Sequence, residues 1–311
     1  MQLSVLKHVH LTTIPSASAV EVINGNIYIV GDDSCFLYVL KYDLTVLAEV
    51  PLYKTKDDHL IGNRILKKKK ADLECITKLT INGYPHLLIL GSGSKSPRRD
   101  IAFLVKLPTP YNRKHIVWEI SLVKWYAFLR MNDAVTGDSG VLNFEAAATT
   151  DEHLYVFNRE NNATLRFDLP EFIEFIQGHT DSVPFPTVIP TDLPEIDGIR
   201  LGFSGADYFD HKLFFTAAAE NTSNAIDDGE IKGSAVGILS FNGEEKTRGK
   251  LTDGFTGEIS QFALIPKIDG RLLKIESISI YEKENDNSYI AIAVSDDDLG
   301  GSDILMLQLD L

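Results

Sequence analysis

Along the chain, apolar residues come in short bursts rich in Val, Ile, Leu, Tyr and Phe, each bounded by Gly, Asn, Asp or Pro. Such bursts stand at residues 26–30 (NIYIV), 36–40 (FLYVL), 86–90 (HLLIL), 101–105 (IAFLV), 154–157 (LYVF), 213–216 (LFFT) and 289–294 (YIAIAV). β-Branched and aromatic side chains suit a pleated surface, and turn residues at this spacing suit hairpins, so the pattern predicts strands. Two stretches follow a helical period instead. Residues 119–131 put Ile120, Val123, Ala127, Phe128 and Met131 on one face. Residues 170–177 open on Pro170 and are followed by Gly178, the start and stop chemistry of a helix. The fold class is all-β with two short helical insertions.

A longer period overlies these bursts. An apolar pair flanking a Glu, then a turn, then an apolar strand ending in small or polar residues recurs four times: AVEVI around Glu21, DLECI around Glu74, NFEAA around Glu145 and KIESI around Glu276. A degenerate copy, SGADY at 204–208, has Ala206 at the Glu position and Asp207 one place on. Units of this length with three or four strands each are those of β-propeller blades around an axis. Five blades are expected, in a single domain over residues 1–311 whose last blade is closed by the N-terminal strand. Six blades are the alternative, with a blade lacking the motif around 258–268.

Composition narrows the function. Thirty Lys and Arg against forty-four Asp and Glu give a net charge of −14. That opposes a role on nucleic acid or on anionic membrane surfaces and favours cations or basic partners. Apolar runs are far shorter than the roughly 20 residues of a spanning helix, and no secretory leader is visible. A soluble cytoplasmic monomer is expected, or a periplasmic one if a leader has been removed. Cys35 and Cys75 adjoin apolar stretches and are expected to be buried, unpaired thiols. The lysine run 67–70 reads as a solvated loop, with a basic docking patch as the alternative.

No common catalytic or nucleotide-binding motif is present. His8 and His10 alternate on one strand face, but two ligands do not make a metal site. The repeated glutamates carry more. An inner propeller strand is packed on both faces, and a carboxylate there is costly to bury unless paired or coordinated. Symmetry puts Glu21, Glu74, Glu145 and Glu276 at one height around the axis, with Asp207 and Glu220 completing the ring. Two such charges 4 Å apart repel by about 4 kcal/mol at an effective dielectric near 20. They need a cation, arginine partners or shared protons. Oxygen ligands suit Ca²⁺ first, then Mg²⁺ or Mn²⁺. The candidate metal ligands are therefore Glu74, Glu145, Asp207, Glu220 and Glu276. Glu74 and Glu145 are candidate general bases, and Arg98, Arg159 and Asn158 are candidate contacts to a small anionic ligand. Equally, the glutamates could be repeat residues bonded to backbone amides, with Arg98, Arg99 and Arg159 neutralising them.

Several stretches resemble an uncharacterised bacterial β-propeller family classed only as a domain of unknown function. They are KADLECI with LLILGSGS and a following arginine, NFEAAA with LYVFNRENN, residues 213–239 (LFFTAAAENTSNAIDDGEIKGSAVGIL) and residues 295–305 (SDDDLGGSDIL). More remotely, the Glu-bearing strand is similar to that of esterase-like phytases and the gluconolactonase and paraoxonase group. That likeness implies a calcium ion in the channel and hydrolysis of esters, lactones or phosphoesters, although no catalytic histidine dyad is recognisable here. Two functions follow as expectations: a divalent-cation-dependent hydrolase, or a non-catalytic platform for a ligand or protein. The platform would use the two helical insertions or the 227–232 loop, and an exposed apolar patch on the Trp118–Trp125 insertion would favour it.

Overall fold

The computed structural model describes residues 1–221, 229–242, 256–297 and 299–311. Five four-stranded antiparallel sheets stand around a central axis. From the inside outward, blade one is Ala17–Ile23, Asn26–Gly31, Phe36–Leu40 and Val46–Pro51; blade two is Leu73–Ile81, Tyr84–Gly91, Ile101–Lys106 and Ile116–Ser121. Blade three is Phe144–Thr149, His153–Asn158, Ala163–Asp168 and Thr187–Pro190; blade four is Gly202–Phe209, Lys212–Asn221, Glu230–Asn242 and Thr256–Leu264. Blade five is Ile275–Asn285, Ser288–Asp296 and Ser302–Asp310, and its outermost strand is Gln2–Leu11 from the other end of the chain. Each inner strand packs on the next, and that of blade five returns to blade one, so the ring closes.

Five blades are thus found. The stretch considered for a sixth supplies Thr256–Leu264, the outer strand of blade four. The near-continuous apolar runs of the inner strands follow from their surroundings: each sheet is covered on both faces by a neighbouring blade. Five apolar clusters fill the five inter-blade spaces, one between each adjacent pair. Burial of the larger side chains in them contributes about 1.5–3 kcal/mol each. Cys35 and Cys75 are buried free thiols within this packing.

The helices depart in part from expectation. Residues 119–121 belong to the outer strand of blade two, because Ile101–Phe103 pair with them, and the helix proper is Val123–Arg130. Trp125 is fully buried among Tyr126, Phe144, Phe167 and Phe172, whereas Trp118 is exposed on the outer strand. The two tryptophans therefore form no common apolar patch. A one-turn helix, Asp133–Thr136, follows. The second expected helix is Leu169–Ile176; the Asp168 carboxylate accepts from the Glu171 N–H at 2.9 Å, Pro170 lies in the first turn, and Gly178 follows at φ +73°. The first part of the 227–232 loop lies outside the described residues.

A carboxylate-lined channel mouth

The inner strands share one irregularity. In each, the register against the second strand slips after the first or second residue, leaving a single bulged residue: Ser18, Glu74, Glu145, Ser204 and Glu276. A bulge sets two residues opposite one and re-aims the extra side chain. The bulged residue can turn into the channel while its apolar neighbours keep their inter-blade contacts. Repetition in all five blades places these residues in one ring at the end of the channel where the inner strands begin.

This register corrects the alignment drawn from the repeated Glu. Ser18, not Glu21, is the blade-one counterpart of Glu74, and Ser204, not Ala206, is that of blade four. Both hydroxyls donate across the ring to the main chain before the next blade's glutamate, Ser18 Oγ to Leu73 O at 2.5 Å and Ser204 Oγ to Ile275 O at 2.6 Å. Glu21 and Asp207 occupy a second ring three residues deeper, equivalent to Thr77, Ala148 and Ser279. There Lys78 Nζ donates to Glu21 Oε1 and Asp207 Oδ1, each at 2.9 Å. The Ser279 hydroxyl reaches the same two carboxylates, and the Lys78 and Ile280 amides donate to Glu21 Oε2 and Asp207 Oδ2 at 3.0 and 2.7 Å. Burial pushes Glu21 up to about 7 against the pull of Lys78. Burial opposes the Lys78 charge, but its two carboxylates hold the proton on more firmly than usual. Asp207 is thus tied into an internal plug away from the mouth.

The mouth itself is a strip of alternating charge. Arg159 Nη2 donates to Glu220 Oε2 at 3.1 Å, and its Nη1 lies 3.8 Å from Glu145 Oε2. Lys274 Nζ lies 3.3 Å from Glu220 and 3.2 Å from Glu276. The Asn143 amide donates to Glu145 Oε1 at 2.7 Å. Glu276 is pushed up to about 7, burial outweighing Lys274. Glu220 falls below its usual value: burial acts upward, but Lys274, the Gly229 amide and Arg159 prevail.

On the blade-two side, three acids that the repeat does not reveal as a set come together. Carboxylate oxygens of Asp32, Asp72 and Glu74 all lie within 4.8 Å of one another. Lys70 bonds Asp32 and lies 3.0 Å from Asp72 Oδ1, while Arg99 and Ser92 bond Asp72 Oδ2. Glu74 has no hydrogen bond or ion pair among the described residues. Burial, then Glu145, Asp72 and Asp32, drive its carboxyl well above the ordinary range. Asp32 is pushed up to about 6 by burial against the pull of Lys70. At the mouth, Asp32, Asp72, Glu74, Glu145, Glu220 and Glu276 meet Lys70, Arg99, Arg159 and Lys274.

The remaining candidates fall elsewhere. Asn158 is wholly buried, its Oδ1 accepting from the Asn143 N–H at 2.9 Å and its Nδ2 donating to Val135 O at 3.1 Å, so no polar atom is left for a ligand. Arg98 lines a separate cleft of about 510 Å³ with Tyr53, Lys54, His59, Lys69 and Glu119. Of the lysine run, Lys70 is buried rather than solvated. Sequence reasoning missed Asp32, Asp72, Lys70 and Lys274. Their signal was present but local: the acidic pair after the second strand of blade one, and a charged residue two before the glutamate in both KADLE and KIE.

A closed five-bladed β-propeller with an acidic channel mouth is the class these features define. The chain belongs to the Family of unknown function (DUF6929), which matches residues 13–309. No curated protein matches it. Among solved structures it is similar to Drosophila semaphorin 1b extracellular domains 1–2 (14% identity, TM-score 0.40, 97% of this chain and 53% of that one), so it spans about half that neighbour's length. It is also similar to an exo-1,5-alpha-L-arabinanase from a bovine ruminal metagenomic library (9% identity, TM-score 0.45, 93% and 90%). A third is the Cps50 (Swd1) β-propeller domain of Myceliophteria thermophila (8% identity, TM-score 0.41, 96% and 99%). No helix among the described residues is long and apolar enough to cross a membrane.

Proposed function

We propose that the channel mouth binds a divalent cation, Ca²⁺ before Mg²⁺ or Mn²⁺, and uses it to hydrolyse a small anionic ester, lactone or phosphoester. The observation that carries this reading is the Asp32, Asp72 and Glu74 triad. Oxygens within 4.8 Å of each other can share one ion at bonds of about 2.4 Å. Two buried polar atoms of the mouth have no hydrogen-bond partner among the described residues, Asp32 Oδ1 in the triad and Arg159 Nη1 near Glu145. A cation would take the first and displace the Lys70 ammonium; a substrate oxygen would take a hydrogen bond from the second. The ion would polarise the scissile carbonyl or phosphoryl group and lower the pKa of a bound water. Glu145, which accepts from Asn143 and faces Arg159, would accept that water's proton.

The test is a melting curve with and without millimolar Ca²⁺, Mg²⁺ or Mn²⁺, since an ion at 100 times its Kd adds about 2.7 kcal/mol. Wild type should gain stability and Glu74→Gln with Asp72→Asn should not. A panel of chromogenic esters, lactones and phosphoesters then tests turnover, which Glu145→Gln should abolish. No shift with any of the three ions sinks the metal step. A second reading, a non-catalytic platform for a ligand or protein, is favoured by the internal cations: Lys70, Arg99, Arg159 and Lys274 already neutralise most of the mouth. It predicts no response to ions and no turnover.

A further inference from the structure

The cleft that holds Arg98 takes its walls from the 53–71 connection between blades one and two, from the Arg98 turn and from the outer two strands of blade two. Main-chain bonds hold both cationic segments in place. A short hairpin, Leu60–Ile61 with Arg64–Ile65, docks on blade one where Ile65 N donates to Asp33 O at 2.8 Å. Leu66 N then donates to His59 O at 2.8 Å, and the Lys69 and Lys70 amides donate to Leu66 O at 2.6 and 3.1 Å. In the other segment Arg99 N donates to Lys95 O at 3.0 Å and Asp100 N to Pro97 O at 3.2 Å. Each segment presents two adjacent cations to different places. Lys70 and Arg99 pair with Asp72 at the mouth, while their chain neighbours Lys69 and Arg98 line the cleft.

The two sets of cations differ in what answers them. Lys70, Lys78, Arg99, Arg159 and Lys274 each pair with carboxylates. Lys54, Lys69 and Arg98 make no ion pair and no side-chain hydrogen bond among the described residues. Glu119 is the one acid lining the cleft, against these three permanent cations and His59. In a chain of net charge −14, that is a local reversal of sign. A concave wall of one sign focuses the field and draws in an ion of the other. The volume falls within the roughly 300–1,000 Å³ of small-molecule sites. A guanidinium grips two oxygens of a phosphoryl group at once, and ammonium groups take the rest. A phosphomonoester brings three such oxygens and about −1.5 to −2 charges, which suits three spread cations better than a carboxylate does. The Tyr53 ring stacks on Phe103 at 5.5 Å and 15°, and its hydroxyl donates to Ser34 O at 3.2 Å. With Ile101 it gives the cleft a fixed apolar wall beside the charges.

We propose that this cleft is an anion site for the phosphoryl group of a small molecule, held by Arg98, Lys69 and Lys54. The group is either free or carried on an apolar skeleton that leans on Tyr53 and Ile101. Glu119 opposes the anion and limits how tightly it is held.

The experiment is calorimetric titration of the full chain with inorganic phosphate, pyrophosphate and phenyl phosphate in about 0.15 M salt, where diffuse surface attraction is largely screened. The buffer holds no divalent ion, so the cation proposed at the mouth plays no part. Wild type should bind one anion per chain. Arg98→Ala and Lys69→Ala should each weaken binding at least about 10-fold. Both side chains are exposed, so neither change threatens the fold. Glu119→Gln should strengthen binding about 2- to 5-fold, which a merely disruptive change would not do. Lys68→Ala/Lys95→Ala removes two exposed lysines of the same segments that do not line the cleft, and should stay within about 2-fold of wild type. Tighter binding of phenyl phosphate than of phosphate assigns an organic phosphate resting on Tyr53; equal binding of the two assigns the free anion. Absence of saturable binding to wild type would overturn the proposal. So would wild-type affinity in both Arg98→Ala and Lys69→Ala, or an equal loss in the Lys68/Lys95 variant, which would mean that general basic charge and not the cleft attracts the anion.

Discussion

At the residue scale, the channel is built from carboxylates whose ionisation the fold opposes. Glu21 and Glu276 are both pushed up to about 7 by burial, from an ordinary value of 4.5. An acid whose folded value exceeds its unfolded one takes up a proton on folding between the two. It therefore favours the folded state below that window and loses its contribution as pH rises from about 4.5 to about 7. Glu220 and Asp297 are held below their usual values and act the other way, losing their contribution as pH falls through the acid range. Stability should thus peak near pH 5 and decline towards pH 8, on the order of 3 kcal/mol for a buried glutamate raised this far. Chemical denaturation across pH 4–8 reads this directly. Glu276→Gln should flatten part of the decline, and a profile that rises to pH 8 in both proteins would contradict the assignment. Much of this was legible: Glu74, Glu145 and Glu276 do meet at one mouth, because the bulge common to all five blades holds a Glu in three of them. Glu21 was misplaced because the bulge position of blade one holds Ser18. A motif defined by its acid slips by three residues when the acid at that position is absent.

At the element scale, the inner strands are packed so closely that one lost hydrogen matters. A Cβ on Gly205 would press into the Ser277 main chain of blade five and lie 2.9 Å from Ile278 N. Its neighbours there are backbone atoms of a paired strand, which cannot swing aside as a flexible side chain could. Gly205→Ala should therefore cost about 1–3 kcal/mol, seen as a lower urea midpoint at unchanged slope. A midpoint matching wild type would mean that the two blades separate more easily than this geometry allows. Strand identity was readable from composition, since β-branched and aromatic bursts between turn residues became strands in every blade. The first helix was read too long for a definite reason. Ile120 fits a helical stripe and a strand face equally well, and pairing of residues 119–121 with Ile101–Phe103 decides the matter through contacts no local window contains.

At the scale of the whole molecule, the ring is closed at one seam. Four blades are built from consecutive strands, but blade five is completed by Gln2–Leu11 lying antiparallel to Ser302–Asp310. This closure could be inferred from the sequence, because the last repeat unit runs out of chain one strand short while an unused strand precedes the first. The His8–Asp303 contact across the seam could not, since Asp303 lies 295 residues from His8 and only pairing brings them together. Removing residues 1–11 would leave the Ser302–Asp310 edge unpaired and uncover Leu305, Leu307 and Leu309, against whose cluster Leu3 and Val5 pack. An exposed, apolar edge strand is a template for pairing with other chains. The truncated protein should therefore unfold at lower urea and elute as larger species in size-exclusion chromatography. A synthetic peptide of residues 1–11 added in excess should restore both properties towards those of the full chain. If the truncated chain stays monomeric at full stability, the four remaining blades and the open three-stranded sheet hold the ring by themselves, and the seam is not where its cooperativity resides.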